Sequence, residues 1–147
     1  MAYSPRAVCT IFAALILVGA GALVLDAQQR GGDQKPSLSL RATPPVGFSP
    51  LRVRLAVDVT GGSDDYADFY CASVEWDWGD GTSSESSSDC DPYEAGKSTI
   101  RRRFTTEHVY RMQGNYRIFF RLKQKNKVVG AASANVQVRA GSGEGFR

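Results

Sequence analysis

From about residue 37 onward the chain alternates apolar and polar side chains at a period of two, in short runs broken by Gly, Pro, Asp and Asn. Successive side chains of a strand point to opposite faces, so this period predicts half-buried strands. Their number and spacing over roughly 100 residues predict an antiparallel β-sandwich. Leu38 and Leu40 open the first run, and Thr43-Pro44-Pro45-Val46-Gly47 is expected to end it, because consecutive prolines cannot donate to a ladder. In the clearest strand Leu51, Val53, Leu55, Val57 and Val59 alternate with Arg52, Arg54, Ala56 and Asp58. Val74, Trp76 and Trp78 alternate with Ser73, Glu75 and Asp77 before Gly79-Asp80-Gly81. Tyr116, Ile118, Phe120 and Leu122 form another strand, and Lys125-Asn126-Lys127 turns the chain into a last run ending at Val136 and Val138.

One block breaks the pattern. Ala7 to Leu25 reads AVCTIFAALILVGAGALVL, 19 residues without a charge, behind Arg6 and the amino terminus. These are the parts of an export signal, with cleavage expected after Ala27 or after Ala20-Gly21-Ala22. The same length also suffices to cross ~30 Å of hydrocarbon as a retained helix. The expected organisation is a signal peptide or signal anchor over 1–27, a flexible linker over 28–36, a domain over 37–139 and a loose tail over 140–147. With 147 residues and 15.9 kDa there is room for one ordinary domain, which excludes a multidomain enzyme. Beyond the leader only Cys71 and Cys90 remain, an even pair in an oxidising compartment, so a disulfide is expected.

Trp76-Asp77-Trp78-Gly79-Asp80-Gly81-Thr82, His108-Val109-Tyr110 and Gly114-Asn115-Tyr116-Arg117-Ile118 follow one another in that order. Together they resemble the signature of the PKD domain, an immunoglobulin-like sandwich of extracellular and surface proteins, with its pattern W-D-F-G-D-G-T, then H-x-Y, then G-x-Y. Ser49-Pro50-Leu51-Arg52-Val53 is similar to the family's second strand, so the resemblance covers about residues 37–139. It implies an immunoglobulin-like fold and interaction with proteins or polysaccharides. The residues carry a physical reading of their own. Gly79 and Gly81 permit the positive φ of a tight turn, Asp80 can accept backbone N–H bonds across it, and Trp76 and Trp78 share one face as core. His108 is expected in a structural hydrogen bond, and Tyr110 as a corner tyrosine bonded to backbone through its hydroxyl.

The chain departs from the family between Thr82 and His108, where the 25 residues Ser83 to Glu107 replace a usually shorter connection. Cys71 and Cys90 are equally distant from the centre of Asp80-Gly81, so a hairpin folded about that turn would bring them face to face.

Formal charge is +3, but its distribution is uneven. Asp58 to Glu94 holds eleven acids and no base, and Lys97 to Arg139 eleven bases against Glu107. The two segments are expected to neutralise one another on adjacent strands. Otherwise Arg101, Arg102 and Arg103, with Arg117, Phe119 and Arg121, would form a basic face for an anionic partner. Nucleic acid is not expected outside the cytosol. Asp64, Asp65 and Asp68 lie in a loop that resembles the calcium-binding loop of some PKD-like domains. Hard oxygen ligands would suit Ca²⁺, and a solvated acidic turn is the plainer alternative. The one histidine sits in a structural motif, and no nucleophile elbow, zinc-protease helix or phosphate loop is present, so no enzyme is expected. What remains is a non-catalytic binding or assembly module of the cell envelope, or a calcium-stabilised spacer tethered through residues 7–25.

Cleavage of the leader is the expected outcome for the exported protein. Intact mass of the exported form checks it: a species beginning at Met1 and fractionating with membranes would establish a retained anchor instead.

Overall fold

A computed structural model describes residues 34–141; the leader and most of the linker, and the tail from residue 142, lie outside the described residues. Among the described residues no helix is long and apolar enough to cross a membrane. Strands β1 (Ser37–Thr43), β3 (Leu51–Thr60) and β6 (Arg103–Tyr110) form one sheet in the order β1-β3-β6. Strands β2 (Val46–Phe48), β4 (Ser73–Asp77), β5 (Ser83–Ser86), β7 (Gly114–Gln124) and β8 (Lys127–Arg139) form the other, in the order β2-β8-β7-β4-β5. Among the described residues one 3-10 turn, Ala67–Phe69, interrupts an otherwise all-β fold.

The period-two pattern becomes the core. Val53, Leu55 and Val57 of β3 are completely buried, while Arg52 and Arg54 between them are exposed. Ile118, Phe120 and Leu122 of β7 and Val136 and Val138 of β8 close the opposite wall. Phe104 of β6 meets Phe120 of β7 with ring centroids 5.2 Å apart, which joins the two sheets across the middle of the sandwich.

Two expectations are corrected. The run expected to stop at Thr43-Pro44-Pro45-Val46-Gly47 ends as β1 at Thr43 but resumes as β2, which pairs in parallel with β8 through Val46↔Gln137 and Phe48↔Arg139. The prolines block continued pairing in the first sheet, and the next residues have free N–H groups with which to join the second. The fold is therefore not wholly antiparallel. The insertion from Ser83 to Glu107 is also not one long loop, since it opens with β5 and its last five residues belong to β6. Phe104 inside it is buried, and β6 alternates exposed and inward positions against β3, with Val57↔Phe104 and Leu55↔Thr106.

The loop left between β5 and β6 is fastened to the connection between β3 and β4. The Ile100 amide donates to the Asp64 carbonyl at 2.7 Å, the Tyr93 hydroxyl to the Asp65 carbonyl at 2.7 Å, and Ile100 itself is buried. The Cys71–Cys90 disulfide is formed, with a Cα separation of 6.1 Å. The hairpin register does not create it. Trp76↔Ser84 and Val74↔Ser86 centre the hairpin on Asp80, which would set Asp89 opposite Cys71, and both cysteines lie beyond the ladder. Cys71 adopts a positive φ of 51°, and the loops themselves bring the sulfurs together.

The start of β1 pairs with the end of β3, and the Ser49 amide beside the start of β3 donates to the Arg139 carbonyl at the end of β8. The domain's first and last strands therefore enter and leave at opposite ends of the sandwich.

Because the disulfide closes a loop over a sequence separation of 19 outside the core, reduction should cost about 3 kcal/mol without unfolding the sandwich. Thermal melting with and without reductant, with near-ultraviolet circular dichroism below the transition, checks this; loss of the tertiary spectrum at room temperature would contradict it.

Candidate functional site

The motif residues converge at the end of the sandwich where β4 turns into β5. Gly79 (φ 73°) and Gly81 (φ 86°) take left-handed backbone conformations, and a Cβ on Gly79 would lie 2.5 Å from the Arg117 carbonyl oxygen of β7. Asp77 Oδ1 accepts from the Gly79 amide at 3.1 Å. Asp80 Oδ1 accepts from the Thr82 amide at 3.0 Å and its hydroxyl at 2.5 Å, while Asp80 Oδ2 lies 2.7 Å from His108 Nε2. The His108 ring stacks on Trp78 at 4.4 Å, and Trp78 on Trp76 at 5.6 Å. Tyr110 is 1% exposed and donates its hydroxyl to the Trp78 carbonyl at 2.8 Å. Burial, before any neighbouring charge, raises its phenol far above the ordinary tyrosine range. Tyr116 stacks on Tyr110 at 4.2 Å, donates to the Met112 carbonyl, and lies against Gly114, where a Cβ would come within 3.1 Å of its ring.

These residues form a closed network in which donors and acceptors serve one another. It holds a turn and a sheet junction. Its carboxylate beside a hydroxyl, Asp80 at Thr82, is bonded to the Thr82 amide as well and so closes the turn.

The charged segments meet as ion pairs. Arg121 lies 2.5 Å from Glu75 and 3.6 Å from Asp77, and Lys123 lies 2.6 Å from Glu75. Hydrogen bonds from Lys123 and then Arg121 hold Glu75 below the usual carboxylate range. Arg52 and Arg54 reach Glu107 across the other sheet, and Arg41 and Arg103 reach Asp58.

Arg101, Arg102 and Arg103, named as the alternative basic face, also lie against nearby groups. Arg102 binds Asp64 at 2.6 Å and the Gly61 carbonyl at 2.6 Å, Arg101 covers the Phe104 ring at 4.9 Å, and Arg103 turns to Asp58. Of the three, Arg102 fastens the inserted loop to the connection between β3 and β4. In the acidic loop, donors of the insertion reach two of the three carboxylates. Asp64 faces Arg102, Asp65 accepts from the Gly96 amide at 2.8 Å, and Asp68 sits apart in the 3-10 turn. Among the described residues no three His, Cys, Asp or Glu side chains gather as a metal would require.

Arg117, Phe119 and Arg121 lie together on the outer face of the five-stranded sheet, with both guanidinium groups 5.1 Å from the Phe119 ring centre. Beside them is a shallow groove of about 500 Å³ lined by Pro45, Val46, Asn115, Arg117, Asn135 and Gln137, among others. Of these only Arg117 stands out in the sequence as a candidate. Asn115, Asn135 and Gln137 could have been found as the outward positions of the alternating β7 and β8 runs. A second cavity, of about 530 Å³, lies over the disulfide between Tyr70 and Tyr93.

No family model matches the chain, and no curated protein does. Among solved structures it is similar to the PKD domain of an M14-like peptidase from Thermoplasmatales archaeon SCGC AB-540-F20, at 13% identity over 73% of this chain and 98% of that one, with a TM-score of 0.48. It is also similar to the CARDB domain of the PF1109 protein from Pyrococcus furiosus, described in complex with di-metal ions, at 15% identity over 78% and 98%, with a TM-score of 0.45. A weaker likeness is to a superoxide reductase (neelaredoxin) from Ignicoccus hospitalis, at 11% identity over 73% and 82%, with a TM-score of 0.38. The sandwich itself is defined by strand order and register.

Burial alone would raise the pKa of Asp80, but the hydrogen bonds from Thr82 and His108 outweigh it and the net shift is downward. A folded-state pKa below the unfolded value contributes stability above the unfolded value, near 4, that is lost as pH falls through the folded one. The melting temperature should therefore fall as pH drops below about 4. In an Asp80→Asn variant it should be lower at pH 7 and should fall less steeply in acid. An unchanged acid slope in that variant would show that Asp80 is not one of the groups responsible.

Proposed function

We propose that the chain is a non-catalytic, extracytoplasmic binding or assembly module that engages a protein or polysaccharide of the cell envelope, with residues 7–25 as its export signal or membrane tether. The observation that carries this reading is that Trp76, Trp78, Asp80, His108, Tyr110 and Tyr116 spend their hydrogen bonds and faces on one another, while the outer face of the five-stranded sheet stays open. Chemistry would need a base free to activate a nucleophile, whereas Asp80 is engaged by the Thr82 amide and hydroxyl and by His108 in closing the turn. Binding needs only a stable surface. The uncharged leader and a formed disulfide support an oxidising compartment outside the cytosol.

A plain spacer is the second reading, favoured by the entry and exit of the chain at opposite ends of the sandwich.

Pull-down from solubilised envelope extract with the full chain as bait separates the two. A module should retain one defined partner that survives a wash at physiological salt, and a spacer should retain none above the level of a folded control.

A further inference from the structure

We propose that copies of this chain join head to tail through the five-stranded sheet, the free edge of β5 in one copy pairing antiparallel with the free edge of β2 in the next. The inference rests on the assembly reading and gives it a surface and an occupant, a second copy of the chain. β2 and β5 are the two margins of one sheet. In β2 the Pro45 carbonyl accepts from the Gln137 amide, and just beyond it the Ser49 amide donates to the Arg139 carbonyl. Backbone groups alternate sides along a strand, so those of Val46 and Phe48 point away from β8. In the hairpin of β4 and β5 the Trp78 amide donates to the Thr82 carbonyl, and the same alternation turns Ser84 and Ser86 toward β4 and Ser83 and Glu85 away from it. The N–H and C=O groups of Val46, Phe48, Ser83 and Glu85 thus have no backbone partner among the described residues. Unpaired margins of this kind are templates for another strand.

Direction, face and charge select a second copy. β2 runs parallel to β8, and each step from β8 to β7, β4 and β5 is antiparallel, so β2 and β5 run in opposite directions. A copy shifted sideways with its outer face still outward therefore sets its β2 antiparallel to the first copy's β5. The side chains agree by face. Val46 and Phe48 lie opposite Gln137 and Arg139, and Ser83 and Glu85 opposite Asp77 and Glu75, all on the outer face. Placing Glu85 opposite Phe48 of the next copy puts it on one row with that copy's Arg139 and covers the Phe48 side chain, which is 60% exposed in the single chain. Charge completes the row. Glu85 stands directly opposite Glu75 and shares Lys123 with it, at 3.7 Å against 2.6 Å for Glu75, so its carboxylate is the less compensated of the two. Arg139 has no acidic partner among the described residues. The margins of the other sheet are set back, since β1 packs across β8 and Phe104 of β6 against Phe120 of β7, while all of β5 is exposed. β2 and β5 overhang them and meet first. The contact joins two different surfaces, so copies add in series rather than as a two-fold dimer.

Photo-crosslinking of the full chain in neutral detergent, with p-benzoylphenylalanine in place of Phe48, tests this. Illumination at rising protein concentration should give a ladder of dimer, trimer and higher species, with the adduct mapped by mass spectrometry to residues 83–87 of another copy. Glu85→Arg alone, or Arg139→Glu alone, should lower the crosslinked fraction about fivefold. A mixture of those two single variants should restore the ladder, because each joint between unlike copies then pairs opposite charges. Near-ultraviolet circular dichroism should be the same in every variant. Monomer alone, an adduct mapped elsewhere, or a ladder unchanged by Glu85→Arg would overturn the proposal. Dimers joined from Phe48 to Phe48 would overturn it in favour of a two-fold contact through β2. If the envelope pull-down still yields a defined foreign partner in these cases, only self-assembly falls.

Discussion

The hydrogen bond from the Tyr110 hydroxyl to the Trp78 carbonyl ties β6 of one sheet to the turn of the other in a place water does not reach. A buried carbonyl left without a donor costs ~1–3 kcal/mol, so the bond constrains more than it contributes. With Trp78 fixed, its ring gives His108 a surface on which to stack, and the histidine can reach Asp80 across the turn. Asp80 then closes on Thr82, and Gly79 is pressed against the backbone of Arg117. The motifs are thus one mechanical unit whose last contact is with the strand that bears the open face.

Much of this was legible because each element has a local cause. Alternation in Leu51 to Val59 and Tyr116 to Leu122 marks strands buried on one side, and glycines at 79 and 81 mark a turn of positive φ. The pairing of Cys71 with Cys90 could be read from parity, although the supposed hairpin register was off by one position. β2 could not be read, since three residues after two prolines carry no periodic signal and gain their order only from β8. The strand β6 was hidden by its place in an apparent insertion, although Phe104, Thr106 and His108 keep the alternation.

The surface was less legible than the core because charge along a sequence does not disclose its partners in space. Within the triplet Arg101, Arg102 and Arg103, Arg102 turns to the loop from Gly61 to Asp68. In that loop Asp64 meets the same arginine and Asp65 the Gly96 amide. The open groove combines Pro45 and Val46 with three carboxamides and Arg117, a mixture that draws little notice in a linear reading.

The parallel pairing of β2 with β8 bears on how the domain would carry load. If it is pulled between its two ends, β2 is drawn back toward the entry of β1 while β8 is drawn the other way along the same axis. The hydrogen bonds between them lie across that direction and are strained together rather than peeled apart one by one. Three residues after a pair of prolines would then act as a latch that resists stretching of the domain until it slips as a unit.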